Sequence, residues 1–568
     1  MKNIEIASML HEFADLMDMH GDIFRRNAYR RAARSIEALD QSIEEIIREG
    51  RLRQIPGIGE GIASILMEIV ESGTSKELER LRRTFPPGVA EMMRIPDVGP
   101  RSAVKFYHEL GITNLEELKD AAEDGRIRKL SGFGERSEAN ILRGIRLIEQ
   151  QGSRMLLSDA LSKGSAIVEH IRSYGFPLVS VAGSMRRMME TIGDVDILVG
   201  TSHSVDAMEA FIAFPNAVDI IVRGESKTSV RLSDGTQADM RVVPEISHGA
   251  ALQYFTGSKE HNVKLRRIAI NKGLRLNEYG LFDSAGVNLV AGLKEDEIYR
   301  LLDLQPIPPE LREDRGEIEA AARNQLPRLV TQRDIRGDLH VHTILSDGHD
   351  TMREMAMAAM KRGYDYVGLT DHSASLRIAN GLDVDELLTS LEQARQLSNE
   401  LNFPIMRGAE VDILEDGTLD YPDEVLDQLD YVIASVHSRF KMSIDQMTER
   451  IIYAIKSGKM QILGHPTGRL LGRREAYAID LDAVMEEAAR HGVAMEVNGF
   501  PERLDLNDMG CRRAKEKGIM VVLNTDAHSE EGLDNMHLAI GTARRGWLEP
   551  ENILNCLPYP DIKDALAR

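Results

Sequence analysis

From residue 335 onward, short apolar runs alternate with longer amphipathic stretches, and this alternation constrains the fold more than any other feature of the chain. Seven such runs occur, at 335–342, 364–371, 405–412, 431–437, 460–465, 493–498 and 519–526. A strand that is repeatedly followed by a helix builds a parallel sheet, because parallel neighbours need a crossover to return the chain. The expected form is a (β/α)7-type barrel over residues 334–568.

Polar clusters sit at the ends of these runs. They are Asp338-Leu339-His340-Val341-His342 with Ser346-Asp347-Gly348, then Asp371-His372, Ala409-Glu410, Val436-His437, Gly464-His465 and Thr525-Asp526-Ala527-His528. In a barrel, the C-terminal strand ends gather at one mouth, where active sites form. Nine candidate metal ligands would meet there: His340, His342, Asp347, His372, Glu410, His437, His465, Asp526 and His528. One histidine at a strand end is ordinarily a satisfied side chain, but six with three carboxylates are not explained that way. His340 and His342, two apart on a strand, face the same side. Mixed imidazole and carboxylate donors suit Zn²⁺ or Mn²⁺. His349, His491 and His537 lie away from these strand ends and are not expected to ligate.

The middle of the chain, from about 155 to 300, mixes strands and helices. It carries Gly183-Ser184 and, nine residues on, Gly193-Asp194-Val195-Asp196. Asp194 and Asp196 point to one face of a strand, and like charges so close call for a cation. A third carboxylate, Asp239, lies in another predicted strand, 237–243. Hard oxygen donors suit Mg²⁺, and three such carboxylates can hold two ions for in-line phosphoryl transfer. Gly183 and Ser184 can offer donors to a triphosphate, and Arg187 can offer charge.

The first 150 residues read as helical throughout. Three turns share one form: Ile55-Pro56-Gly57-Ile58-Gly59, Ile95-Pro96-Asp97-Val98-Gly99 and Leu130-Ser131-Gly132-Phe133-Gly134. Each is followed by a helix-like run. Such a turn can bring backbone N–H groups and a helix N-terminus to a DNA phosphate without reading sequence. Gly57, Gly59, Gly99, Gly132 and Gly134 are the candidate backbone contacts. In the middle copy Asp97 replaces the first glycine and would repel phosphate. The segment Phe24–Arg31 adds a basic helical face.

Charge places these sections. The whole chain has a net charge of −21, which taken alone opposes a nucleic-acid partner. Residues 1–150 and 151–330 carry only −3 each, and the remaining −15 lies in residues 331–568. Two cysteines, Cys511 and Cys556, exclude a disulfide framework or a four-cysteine zinc site. The chain has no apolar run long enough for a membrane span and opens without a signal-peptide pattern. A cytoplasmic monomer is expected.

The middle section resembles the family X DNA polymerases. The Gly-Ser and Gly-Asp-x-Asp elements carry the resemblance, with Tyr254-Phe255-Thr256-Gly257-Ser258, Asn262, Arg266 and Asn277-Glu278-Tyr279. It implies that Asp194 and Asp196 bind two Mg²⁺ (or Mn²⁺) ions and that Asp239 helps activate the primer 3′-hydroxyl. It further implies that Gly183, Ser184, Arg187 and Gly193 hold the triphosphate. Tyr254, Phe255 and Gly257 would flank the sugar, Asn262 would contact the nucleotide and Arg266 the template. Met188 and Gln237 depart from animal members, which have glycine and arginine there. Ile65 stands where animal members have a Schiff-base lysine, so no deoxyribose-phosphate lyase activity is expected through that position.

The last section resembles the polymerase-and-histidinol-phosphatase (PHP) family, with every ligand position filled. The resemblance implies three divalent ions, Zn²⁺ and/or Mn²⁺. His340, His342, Glu410 and Asp526 would hold the first. Glu410, His437 and His465 would hold the second, and Asp347, His372 and His528 the third. The implied arrangement is a gap-binding helical domain (1–85), a helix-hairpin-helix domain (86–152), a nucleotidyltransferase palm (153–240), a nucleotide-selection subdomain (241–303), a Pro-bearing linker (304–333) and the barrel (334–568). The order is that of bacterial and archaeal family X polymerases with a C-terminal PHP domain. Gap-filling synthesis on gapped or nicked DNA from dNTPs in base excision repair is expected, with 3′→5′ exonuclease and abasic-site cleavage from the barrel. Two other readings are a phosphoesterase of small substrates with a vestigial polymerase, and a non-catalytic gap-binding scaffold.

Overall fold

A computed structural model describes residues 3–37, 43–48, 50–55, 57–82, 84–86, 88–89, 92–95, 98–151 and 154–567. They fall into two compact units. One comprises Met1–Gly152 with Gly472–Arg474, and the other the remainder of the chain.

Among the described residues up to 151, the regular elements of the first unit are all helices. Its principal helices are Asn3–Met19, Ile23–Glu37, Glu60–Ser72, Pro100–Leu110, Leu115–Glu123 and Glu135–Gln151. Their apolar stripes merge into one core containing Leu10, Phe13, Ile36, Leu66, Ile95, Phe106, Leu118 and Ile141. Each hairpin turn leads into a helix, at Glu60, Pro100 and Glu135. Gly57 and Gly132 take φ of +83° and +87°, a region open to glycine and costly for other residues. Pro56, Pro96 and Asp97 lie outside the described residues. On the basic face, Arg26 and Arg30 pair with Asp18 and Asp15, each at 3.1 Å. Tyr29 turns inward and stacks on Phe13 at 4.8 Å.

The second unit holds a five-stranded sheet, a three-stranded sheet, a seven-stranded sheet and a two-stranded pairing of Met155–Leu156 with Thr191–Ile192. The first has five strands, β1 (Val179–Val181), β2 (Val195–Gly200), β3 (Ala217–Arg223), β4 (Lys227–Leu232) and β5 (Gln237–Val243). Their order is β1-β2-β5-β4-β3, with only β2 and β5 parallel. Helices Leu157–Ser173 and Ser204–Ile212 bury apolar faces that join the sheet's core, including Ile167, Ile171 and Phe211. A smaller three-stranded antiparallel sheet (275–277, 280–282 and 289–291) follows helices His248–Thr256 and Lys259–Asn271.

The segment 304–333, expected as a linker, packs its apolar side chains into a core. Leu304, Ile307, Leu311, Ile318 and Leu329 are buried with Leu265, Leu281, Ile298 and Tyr299. It contains one α-helix, Glu317–Ala322. Glu317 in that helix is fully buried, 2.7 Å from His261 Nδ1.

The remaining seven strands are β6 (Gly337–Val341), β7 (Tyr366–Leu369), β8 (Ile405–Asp412), β9 (Tyr431–Ser435), β10 (Ile462–Leu463), β11 (Ala494–Asn498) and β12 (Val521–Asn524). They lie in chain order and are parallel throughout. A parallel bridge between Val341 and Ala527 brings the first and last strands together, giving a nearly closed barrel. Its interior is filled by at least one residue from every strand: Leu339, Tyr366, Met406, Tyr431, Ile433, Ile462, Ala494 and Val522. Ile562 and Leu566 of the C-terminal helix Tyr559–Leu566 complete that cluster. All seven predicted strands are present; β8 matches its run 405–412 and the other six are shorter than theirs.

Candidate active sites

The three aspartates of the five-stranded sheet meet because of strand register. Asp196 in β2 is paired directly with Asp239 in the parallel β5, and Asp194 immediately precedes β2. One carboxylate oxygen from each lies within 4.8 Å of the other two. Burial, together with the charges of Asp194 and Asp239, pushes the pKa of Asp196 up to about 7. Burial and Asp239 also raise Asp194. For Asp239 burial acts upward, but hydrogen bonds from Lys227 and Gln237 outweigh it and hold the carboxyl below its usual range. Lys227 Nζ lies 2.5 Å from Asp239 Oδ2, and Gln237 Nε2 donates to Oδ1 at 2.8 Å. Converging carboxylates repel one another, and a divalent ion bound among them relieves that repulsion.

Gly183 lies under this cluster. Its φ is +61°, and a Cβ there would fall 2.0 Å from Asp196 Oδ2. Ala182 N donates to Asp196 O at 2.9 Å, so the Gly-Ser turn is bonded to the carboxylate strand. Ser184 and Arg187 follow on the short helix Gly183–Arg186 and its C-terminal end. Arg187 Nε donates to Glu313 Oε1 at 3.0 Å, and its Nη1 donates to the Thr256 carbonyl. Met188 takes φ of +55°, so the loop keeps the left-handed bend that suits a glycine. Arg186 makes a two-pronged pair with Glu295 (3.0 and 2.7 Å), which also pairs with the buried Arg312.

Tyr254 and Phe255 stand edge to face, 5.1 Å apart, at the end of helix His248–Thr256. Gly257 terminates that helix with φ of +74°. Arg241 lies over the Phe255 ring at 4.5 Å. Asn262 Nδ2 donates to Tyr254 O at 2.7 Å, and Arg266 Nε donates to Asn262 O at 3.3 Å. Gly193 borders the aspartate strand, beside Arg154.

The barrel gathers all nine expected ligands at its C-terminal mouth. Three groups have ligand atoms mutually within 4.8 Å: His340, His342 and Asp526; His372, Glu410 and His437; and His342, Asp347, His372 and His528. Glu410 is central. Its oxygens lie 2.9 Å from His465 Nε2, 3.3 Å from His437 Nε2, 2.9 Å from His372 Nδ1 and 3.4 Å from His340 Nε2. Asp526 Oδ1 is 3.1 Å from His342 Nε2, and Asp347 lies between His372 (3.5 Å) and His528 (3.4 Å). His372 therefore reaches Glu410 as well as the Asp347 group. His349, His491 and His537 join none of the three groups.

These contacts fit metal ions. His340 Nε2 and both ring nitrogens of His342 are buried without a hydrogen bond. Buried polar atoms normally have partners, and donors about 3 to 4 Å apart match neighbours in a shell with bonds near 2.1 Å. Burial, with His528 and His372 alongside, pushes the pKa of His342 down to about 3. It is therefore held neutral, the form that ligates. His465 and Asp526 both take positive φ, of 24° and 54°. Strained backbone of this kind concentrates at functional positions.

Residues that were not anticipated orient these imidazoles. Glu496, fully buried on β11, accepts from His340 Nδ1 at 2.6 Å and also from His465 N and Asn524 Nδ2. Asp412 does the same for His437 Nδ1, at 2.5 Å. Fixing Nδ1–H in this way aims the opposite nitrogen at the site. Asp371 accepts from Thr343 and Ser346 and so holds the loop that carries Asp347. Two sequence signals could have found Glu496 and Asp412. Glu496 is a lone acid in an apolar strand, and Asp412 lies two residues from Glu410 on the same face. A cleft of about 660 Å³ opens beside the cluster, lined by Asp526, His528, Phe500, Leu156, Ser158 and Asp159.

Comparison with known proteins matches residues 1–75 to a helix-hairpin-helix domain and 89–147 to a SAM-like helix-hairpin-helix tandem. Residues 251–313 match the DNA polymerase beta thumb and 338–499 the PHP domain. The chain is 38% identical over 569 residues to the DNA polymerase/3′-5′ exonuclease PolX of Bacillus subtilis, covering 99% of both chains. It is 28% identical over 333 residues to DNA polymerase lambda of Rattus norvegicus, covering 53% of this chain and 55% of that one. A probable phosphatase of Thermoanaerobacter sp. is 31% identical over 230 residues, which is 38% of this chain and 89% of that protein. At that identity over its whole length, the chain belongs to the PolX family, the family X DNA polymerases that carry a C-terminal PHP domain.

Proposed function

We propose that this protein is a DNA polymerase that fills short gaps in damaged DNA and trims 3′ ends with its barrel. One observation carries the reading. A single chain holds two different candidate ligand sets: three carboxylates on one sheet, and eight grouped imidazole and carboxylate residues at a barrel mouth with His465 alongside Glu410.

In the polymerase half, Asp194 and Asp196 would hold two Mg²⁺ (or Mn²⁺) ions, which when bound would neutralise the triphosphate and acidify the primer hydroxyl. Asp239, kept ionised by Lys227, accepts the proton of the primer 3′-hydroxyl. Gly183, Ser184, Arg187 and Gly193 bind the dNTP phosphates. Tyr254, Phe255 and Gly257 close on the sugar and disfavour a 2′-hydroxyl, Asn262 contacts the nucleotide, and Arg266 contacts the template. Residues 1–85 hold the gap and 86–152 the flanking duplex, through Gly57, Gly59, Gly99, Gly132 and Gly134. Residues 153–240 form the palm and 241–303 select the nucleotide. Ile65, without an amine, supplies no Schiff base there.

In the barrel, the nine residues would hold three divalent ions, Zn²⁺ and/or Mn²⁺, which when bound would supply Lewis-acid activation of water and neutralise a phosphodiester. Glu410 connects the groups, and the cleft beside Asp526 and His528 admits the 3′-terminal nucleotide. Cleavage at abasic sites would use the same chemistry.

The test is a pair of double variants in the full-length protein. Asp194→Ala with Asp196→Ala should abolish gap filling and leave 3′ resection intact. His340→Ala with His342→Ala should do the reverse. Resection that survives the histidine change would remove the barrel assignment. Hydrolysis of small phosphoesters with no action on DNA ends would favour a phosphatase.

A further inference from the structure

The loop that presents Ser184 and Arg187 is fastened at several points to the barrel section, within the same compact unit. Arg545, the last residue of helix Met536–Arg545, is almost fully buried. Its Nη1 donates to the backbone carbonyl of Arg187 at 2.9 Å and to Glu313 Oε1 at 2.9 Å. Its Nη2 donates to Asp508 Oδ2 at 2.8 Å. The same Glu313 oxygen receives Arg187 Nε at 3.0 Å. One carboxylate thus ties the phosphate-facing arginine to the barrel arginine.

Two further contacts grip the same loop. A Cβ at Gly541, one turn back on the Arg545 helix, would fall 2.4 Å from Met188 Cε and 3.2 Å from Met188 Cβ. A methyl group there would displace the Met188 side chain and press on its Cβ. At the far end of the loop, Glu190 forms a two-pronged pair with Arg469 at 3.0 and 2.6 Å. Such fork-to-fork pairs fix orientation as well as distance. Leu538 of the barrel helix joins the core that holds Met185, with Met188 packed against it.

We propose that the barrel helix Met536–Arg545 is a positioning element of the polymerase site: Arg545 and Gly541 set the loop so that Arg187 meets the incoming nucleoside triphosphate. The inference rests on the reading of Arg187 as a phosphate contact. The barrel then contributes to synthesis through contact alone, separately from its hydrolytic groups. Arg545 is a positioning residue that acts through Arg187 and Glu313. Small displacements of a binding group cost large factors in reactivity, so the contact should be kinetically visible.

The experiment is single-nucleotide insertion on gapped DNA by the full chain with Mg²⁺, alongside hydrolysis of thymidine 5′-monophosphate p-nitrophenyl ester. Arg545→Ala should raise the KM for dNTP about tenfold or more, with a smaller change in kcat and with hydrolysis within about twofold of wild type. Arg545→Lys should recover part of the loss. Gly541→Ala should also raise KM, and adding Met188→Gly to it should restore binding by removing the clash. Arg187→Ala is the reference. A normal KM in Arg187→Ala would defeat the phosphate reading itself. A raised KM in Arg187→Ala with a normal KM in Arg545→Ala would overturn the positioning role. Should Arg545→Ala lose both activities through misfolding, the Gly541→Ala and Met188→Gly pair decides, and absence of rescue overturns the proposal.

Discussion

Asp196 and Asp239 face each other as paired residues on two parallel strands, the one parallel pair in their sheet. That register places the third carboxylate beside the first two and raises the pKa of Asp196 to about 7, through burial and then its neighbours' charge. The sign follows directly. An acid whose folded pKa lies above its unfolded value of 3.8 stabilises the fold fully below pH 4, and that contribution is lost as pH rises through 7. Metal-free Asp196→Asn should therefore be more stable than wild type above pH 7, by about 1–3 kcal/mol after solvent screening, and equal to it near pH 4. Melting curves in EDTA at both pH values check this. Added Mg²⁺ should raise the wild-type Tm and leave the variant unmoved. A variant no more stable at pH 8 would show that the carboxylates are not in conflict.

Lys227 was not anticipated as part of the site, yet it holds Asp239, the carboxylate proposed to accept the primer proton, below its usual range. Its removal raises the pKa of Asp239 toward that of a buried acid. Lys227→Ala should reduce kcat for insertion about tenfold at pH 6.5 and much less at pH 9. The acidic limb of the pH–rate profile should shift upward. A uniform loss across pH would mean that Lys227 acts on the fold alone.

How far the sequence carried these conclusions depended on local periodicity. The seven barrel strands were readable because six of the seven apolar runs carry a polar ligand cluster at or near their ends, so pattern and chemistry coincide. The nine candidate ligands followed from strand direction. Lys227 was not readable, because its meeting with Asp239 depends on the antiparallel pairing of β4 with β5. Glu496 escaped for a related reason: its role needs the barrel closed around His340. The segment 304–333 looked like a linker from its prolines, but Leu304, Ile307, Leu311 and Leu329 bury into the core beside Tyr299. Prolines mark breaks in helix, and they do not prevent packing.

Glu496 supplies a prediction on the hydrolytic side alone. It is fully buried and fixes the His340 ring through Nδ1. Glu496→Gln should lower barrel metal affinity about 10- to 100-fold, as changes to such orienting carboxylates do. Metal content after dialysis should fall, 3′ resection should fall with it, and excess Mn²⁺ should restore part of it. Gap filling should stay near wild type. Loss of synthesis in step with resection would place Glu496 in general stability.

The hairpins offer a test that separates turn geometry from DNA contact. Gly132 has φ of +87°, and a Cβ there would meet nothing within 4 Å. Gly132→Ala should therefore cost about 1 kcal/mol of conformational strain, visible in Tm as well as in DNA binding. Gly134 has no positive φ, and its Cβ also would meet nothing within 4 Å, so Gly134→Ala should leave Tm unchanged. If backbone N–H groups approach a phosphate at this turn, the added methyl stands in the way. Gapped-DNA affinity should then fall about 3- to 10-fold in Gly134→Ala. Binding measured across salt should keep a similar slope, because no cation is removed. Unchanged affinity in Gly134→Ala, with weakened binding in Gly132→Ala, would reduce this turn to a helix connector.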